Sequence, residues 1–400
     1  MAARRIPRRS RGSERSRSGA ETCSAPPRRG SGGRSAAASE VFRTRGAWPL
    51  AEPDGRMLEV AARSHLRPLR PGEGWSDVPR LQGSFVVARF STVSLMREDP
   101  EIVEHFVSYY LGLGATAVVI YHDGPAEGMP APTDPRARVI LCEAAFWERL
   151  GGRPEGLEDR QSAVYAHALA QCQTDWMLIC DADEFVFGDR SVEQFLDWLP
   201  DTVDSARLRT AEAVWGPTDD PEQPFGSTWF RTAWTNPQFW KALRRIVYGP
   251  DARFFRQGLV GHVAGKQFLR AGRDYGFIGN HYSERDGVNV SVWAHELGRG
   301  GEGMYLGHFD AIGFGRWRRK WEQRITRETI ANRMAGTRNA QMAAIAKAFG
   351  EGEPATRNIF LRLYALSSWQ TRVLGALGYT FQRDIFRPAR SVDSEARRTA

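Results

Sequence analysis

Short apolar runs separated by helical repeats fill residues 84 to 180, and this alternation constrains the fold more than any other feature of the chain. "SFVVARF" (84–90), rich in Val and Phe, reads as a strand. In "REDPEIVEHFVSYYLGLGA", Asp99 is placed to cap a helix, Pro100 suits its first turn, and Gly112 and Gly114 suit its end. Between them Ile102, Val103, Phe106, Val107, Tyr110 and Leu111 recur at the spacing of one helical face. "ATAVVIY" (115–121) and "ARVILCEA" (137–144) read as a second and a third strand, "EDRQSAVYAHALAQCQT" as a helix, and "DWMLIC" (175–180) as a fourth strand. Strand, helix, strand, connection, strand, helix, strand predicts an α/β fold, with a mostly parallel sheet and helices on both faces. Ligands of such sheets bind beyond the carboxyl ends of the strands.

The fourth apolar run stops abruptly at Asp181-Ala182-Asp183-Glu184, at the edge where a ligand is expected. Asp123 follows the second strand at the same edge. Two carboxylates at i and i+2 converge on one hard cation where a strand unwinds into a turn, and Mg²⁺ or Mn²⁺ takes oxygen ligands and bridges to substrate phosphates. A cation there offsets the repulsion between the acids and neutralises a leaving diphosphate. The plainer reading is a pair of surface acids at a strand end, ahead of a helix.

These residues resemble a known family. "REDPEIVEHFVSYYLGLGATAVVIYHDGP" followed by "DWMLICDADEFV" is similar to the family 2-type glycosyltransferases of the GT-A fold, in the branch with the D-x-D-E-F motif. The resemblance runs on through "GLVGHVAGKQFLR" (258–270), "GNHYS" (279–283) and "YLGHFDAIGFGRWRRKWEQR" (305–324). One departure is Met96-Arg97-Glu98, where the family has Lys or Arg, then Asn-Glu. The resemblance implies a nucleotide-sugar donor, Mn²⁺ or Mg²⁺ as cofactor, and transfer of the sugar to an acceptor hydroxyl, with inversion.

On that reading Asp181 and Asp183 are the metal ligands that bridge the donor diphosphate. Glu184 either orients them or is the N-terminal acid of a following helix. A His from later in the domain completes such metal sites, which singles out His281 and His308; His308 is preferred because Asp310, two positions on, shares its side of an extended segment. The family pattern puts Glu98 and Asp123 against the base or ribose. Arg97, Lys266 and Lys320 are suited to balance diphosphate charge, although Lys320 sits in "RWRRKW", which also reads as the solvated face of a basic helix. Asp310 and Glu212 are candidates for the general base that inversion requires. Trp215, Trp234, Trp240 and Trp317 are candidates to stack on sugar rings or to lie in the core.

Composition sets the surroundings. Residues 1–40 hold ten Arg against three Glu, so they carry +7 of the chain's net +8. Rich in Ser, Gly and Pro and poor in large apolar residues, this stretch is expected to be disordered, within a basic extension over residues 1–75. The transferase-like domain is expected over 80–330, its second half irregular, with a helical extension over 331–400. In the latter, Phe360, Leu363, Tyr364 and Ser367 share a face that suits packing on the body; with Arg357, Arg362 and Arg372 nearby, it also suits a peripheral membrane contact. No run of about 18 apolar residues is present, and the start lacks the apolar stretch of a secretory signal. Cys23, Cys142, Cys172 and Cys180 form no CxxC pair, as expected of reduced thiols in the cytoplasm, with the inner membrane face as an associated site. Three other classes fit less well. A haloacid dehalogenase-type phosphatase lacks the Thr or Val expected after D-x-D, and a nucleotidyltransferase lacks its Gly-rich basic loop. A non-enzymatic nucleic-acid binder would rest on the basic tail alone, so no specific nucleic acid is expected as a partner.

Overall fold

The structure, a computed structural model, describes residues 87–234, 237–326 and 336–387, with the side chains of 237 and 238 left out. All of them belong to one unit that begins at Gln82. The expected basic extension over 1–75 lies outside the described residues.

The strands are β1 (Phe90–Met96), β2 (Ala117–His122), β3 (Ala137–Leu141), β4 (Trp176–Ile179), β5 (Glu184–Phe187), β6 (Ser205–Val214), β7 (Trp229–Thr232), β8 (Lys266–Arg270), β9 (Phe277–Ile278), β10 (Ser283–Arg285), β11 (Val288–Asn289), β12 (Ser291–Trp293), β13 (Tyr305–His308) and β14 (Thr380–Gln382). The helices are α1 (Pro100–Gly112), α2 (Ala144–Arg149), α3 (Leu157–Ala170), α4 (Val192–Trp198), α5 (Pro237–Tyr248), α6 (Phe314–Thr326), α7 (Thr337–Glu351), α8 (Glu353–Tyr364) and α9 (Ser368–Ala376).

The main sheet runs β14-β7-β6-β8-β4-β1-β2-β3. Its core, β4-β1-β2-β3, is wholly parallel, as the alternation in the sequence predicts. Beyond β4 the sheet is mixed. β8 runs antiparallel to both β4 and β6, and β13 runs parallel to β6 and antiparallel to β5. The fold is therefore α/β with helices on both faces.

β1 begins where the expected first run ends. Ser91, Thr92 and Ser94 disguise it in the sequence, yet all three are buried. Thr174 accounts for part of this, since its hydroxyl lies 3.1 Å from the Ser91 hydroxyl. Alternate residues serve the two faces. Phe90 and Met96 pack under α1 and α4, while Val93 and Leu95 pack under α2 and α3.

α1 buries the six residues that its spacing predicts, each contributing roughly 1.5–3 kcal/mol on full burial. Pro100 stands in the first turn and Asp99 takes the cap position, although its side chain makes no capping hydrogen bond. Gly114 is left-handed, with φ +100, and a Cβ there would lie 2.7 Å from Glu193 Oε1.

Residues 201–330, irregular in sequence, contribute β6, β7, β8, β12 and β13 to the main sheet. Polar residues inside β6, such as Arg209 and Glu212, conceal its length. After α7, α8 and α9, strand β14 joins the sheet by pairing with β7. Phe360, Leu363 and Tyr364 are buried with Trp215, Trp234, Trp317 and Trp321 in a second core, so the C-terminal helices pack on the body.

Candidate active site

The parallel strands end together, and their carboxyl ends open onto a cleft of about 940 Å³. Arg97 and Glu98 follow β1, Asp123 follows β2, and Asp181 and Asp183 follow β4. Arg153, Arg160 and Gln161, at or near the start of α3, form another wall.

The turn after β4 closes on itself. Asp181 N donates to Glu184 Oε2 at 2.8 Å, and Glu184 N donates to the Asp181 carbonyl at 3.1 Å. Glu184 then opens strand β5 rather than a helix, which removes the helix-capping reading of this acid. Its side chain is fully buried.

Each aspartate meets a lysine. Lys266, the first residue of β8 and fully buried, places Nζ 2.8 Å from Asp181 Oδ2 and 3.5 Å from Glu184 Oε2. Gln161 Nε2 donates to the other Asp181 oxygen at 3.1 Å. Lys320 Nζ lies 3.3 Å from both Asp183 Oδ2 and Asp310 Oδ1. Lys320 therefore faces the site, and α6 turns Phe314, Trp317 and Trp321 into the core instead. Burial alone would lower the Lys266 ammonium, but Asp181 and Glu184 outweigh it and raise its pKa well above the ordinary value. For Asp181, burial opposes ionisation and Lys266 prevails, holding the carboxyl below its usual range.

Behind this layer Glu184, His262 and His308 bring one ligand atom each within 4.8 Å of one another. Register explains two of them: His308 of β13 stands opposite Glu184 of β5 on one side and Glu212 of β6 on the other. His262 arrives on the loop before β8. Its Nε2 is 3.7 Å from Glu184 Oε1, and its ring centre lies 4.9 Å from that of His308 and 4.8 Å from that of His281. Glu184 Oε1, His262 Nδ1 and His308 Nδ1 are buried without a hydrogen-bond partner. Burial pushes the Glu184 carboxyl up to about 7. It also pushes His262 down to about 2, helped by His308 and His281, and His281 down to about 4, helped by Lys266. Two imidazoles with unpartnered ring nitrogens and an unspent carboxylate oxygen suit a divalent transition metal. Of the four metal ligands expected from the sequence, this group contains His308 alone. Asp181 and Asp183 lie next to it with lysine partners, and His281 Nδ1 donates to the Gly265 carbonyl at 2.7 Å. His262 was missed, though it stands after Gly261 in the stretch 258–270.

Glu212 and Asp310 have other occupations. Glu212 is fully buried and accepts from Arg231 Nε at 2.7 Å, Val260 N at 3.1 Å and Gly261 N at 2.5 Å. It holds the loop that carries His262. Asp310 accepts from the Tyr364 hydroxyl and from Lys320. Burial would raise its pKa, yet Lys320, Arg338, His308 and Arg324 keep it well below the usual range. Asp123 is paired with Arg153 and Arg160, both at 3.0 Å, and Glu98 with Arg316. Arg97 is exposed at the cleft mouth. Trp215, Trp234 and Trp317 are core residues with 1% exposure, which leaves no ring face for a sugar, and Trp240 packs half-buried under Arg244.

No protein-family model matches the chain, and no curated protein does. Solved structures similar to it include glucosyl-3-phosphoglycerate synthase from Mycobacterium tuberculosis in complex with Mn²⁺, uridine diphosphate and phosphoglyceric acid, at 14% identity over 46% of this chain and 56% of that one, with a TM-score of 0.22. GalNAc-T7 with UDP, GalNAc and Mn²⁺ is 10% identical over 74% of this chain and 59% of that one, with a TM-score of 0.29. The mannosyltransferase Ktr4p from S. cerevisiae is 10% identical over 46% and 56%, with a TM-score of 0.23. The chain spans less than two thirds of the length of each. At these TM-scores the overlap says nothing of function, which rests instead on the geometry of the cleft.

Proposed function

We propose that the chain is a metal-dependent glycosyltransferase of the GT-A type, related to family 2, which moves a sugar from a nucleotide-sugar donor to an acceptor hydroxyl. The observation that carries this reading is the pair Asp181 and Asp183, set at the carboxyl end of a central parallel strand and facing a polar cleft of about 940 Å³. A cleft of that size accommodates a nucleotide sugar.

Glu98 and Asp123 lie at the far ends of β1 and β2, where base and ribose are received in this reading. Arg97 and Lys320 offset the charge of the diphosphate, with Asp183 steering Lys320; Lys266, fully buried outside the cleft lining, holds Asp181 and Glu184 in place instead. Glu184, His262 and His308 would hold the metal, which when bound would supply Lewis-acid stabilisation of a departing diphosphate. Glu98, Asp123, Asp181 and Asp183 are all paired with cations. The displacement is proposed to be direct and inverting, with the proton of the acceptor hydroxyl passing to one of these cleft carboxylates. Glu212 and Asp310 act as positioning residues, one for the His262 loop and one for Lys320. The unpaired thiols of Cys142, Cys172 and Cys180 suit a cytoplasmic setting.

A panel of nucleotide sugars screened by thermal shift, with and without Mn²⁺, tests the proposal. A donor that raises Tm in the presence of Mn²⁺ for the wild type and not for His262→Ala supports it. Inversion is read from the anomeric configuration of the product by NMR. Failure of every donor to bind would sink the assignment.

A further inference from the structure

We infer that α5 and the neighbouring α9 form a surface that docks on an anionic lipid bilayer. α5 turns Leu243 and Val247 inward. Its outward side carries Phe239 and Ile246, 46% and 66% exposed, with Ala242 between them in one stripe. Lys241 and Arg245 flank that stripe and are exposed. α9 lies alongside, since Gln370 Nε2 donates to the Val247 carbonyl at 3.0 Å. It adds Trp369, 47% exposed, and Arg372 one turn on.

The charge of this surface is one-sided. Residues 237–250 contain Lys241, Arg244 and Arg245 and no acid, and 365–383 contain no acid either. Among the described residues, Lys241, Arg245 and Arg372 have no acidic partner. By contrast, the cations of the adjoining cavity of about 590 Å³ are spent: Arg357 pairs with Glu222 and Arg362 with Asp251. The membrane face expected from Arg357 and Arg362 therefore moves to α5, with Arg372 retained.

Cations beside exposed Ile, Phe and Trp match an interfacial helix, whose apolar stripe enters the acyl boundary while its basic flank meets anionic headgroups. A polyanion such as RNA would satisfy the charge and leave Ile246 in water. Among the described residues no helix is long and apolar enough to cross a membrane, so the contact is peripheral. None of these residues lines the cleft, and the inference does not depend on the transferase reading.

The test is co-sedimentation of the full chain with vesicles of phosphatidylcholine alone or mixed with phosphatidylglycerol. The wild type should bind the mixed vesicles and bind neutral ones weakly. Lys241→Gln with Arg245→Gln should weaken binding by about thirty-fold, at roughly fivefold for each basic residue lost at an anionic surface. Ile246→Asp should weaken it by about tenfold, and all variants should keep the wild-type melting temperature because the substituted side chains are exposed. Trp369→Ala provides a second apolar variant. No binding by the wild type, or equal binding to neutral vesicles, overturns the inference. So does unchanged binding by the variants, which would assign the contact to the basic residues 1–40.

Discussion

Lys266 Nζ sits 2.8 Å from Asp181 Oδ2 on a side chain with no exposed surface, and the same ammonium reaches Glu184 Oε2 at 3.5 Å. One lysine thus neutralises two acids of the D-x-D-E cluster from below. Lys266→Met leaves the fully buried Glu184 without that cation. We expect a loss of stability on the order of 3 kcal/mol, read as a lower urea midpoint at unchanged m value. Wild-type stability in this variant would show that the pair is incidental.

Glu212→Gln separates a positioning role from a catalytic one. Removing the charge leaves Arg231, 1% exposed, without its counter-ion, and weakens the hold on Val260 and Gly261. The expected cost is roughly 3–5 kcal/mol of stability. A general base would instead lower kcat and leave the melting temperature in place.

His262→Ala tests which residues hold the metal. Binding of Co²⁺, followed by its visible absorption, should fall by more than about 100-fold, beyond the loss typical of removing an outer-shell partner, because His262 is a direct ligand in this reading. The melting temperature of the metal-free protein should change little, because His262 makes no hydrogen bond that the fold needs. Retained Co²⁺ affinity in His262→Ala, together with its loss in Asp183→Asn, would return the metal to the aspartate pair.

Burial pushes the Cys142 thiol up to about 12 and Cys180 well above its ordinary value. Both therefore remain thiols, and unreactive, through the neutral and mildly alkaline range. Peptide mapping after iodoacetamide treatment of the native protein should show neither modified at about pH 7.5 or about pH 9, since only the thiolate reacts. Both should be modified in urea. Fast labelling of native Cys180 would contradict the packing of β4 against α1.

Trp317→Ala should cost about 3–5 kcal/mol, as expected for emptying a core site among Phe314, Phe360 and Tyr364. A residue that stacked on the acceptor would raise KM and leave stability unchanged, so a denaturation curve beside a kinetic series decides between the two.

Legibility depends on whether a signal is local. The α1 face, the four-strand parallel core and the acids at its edge were all readable from residues 84–184. Apolar spacing and strand ends are local properties of a chain, and the carboxyl-edge rule turns them into a location. β1 was displaced because Ser91, Thr92 and Ser94 look polar, and only their burial between two helical layers shows them to be strand interior. Sequence alone determined that acids would gather at the rim of an α/β sheet, since period and charge are written residue by residue. It could not assign partners. Lys266 is 85 positions from Asp181 and Lys320 is 137 from Asp183, and His262 meets Glu184 and His308 through a loop tied down by Glu212. Those encounters were decided by strand register and by the burial of charges that must find counter-charges, which are properties of the packed chain.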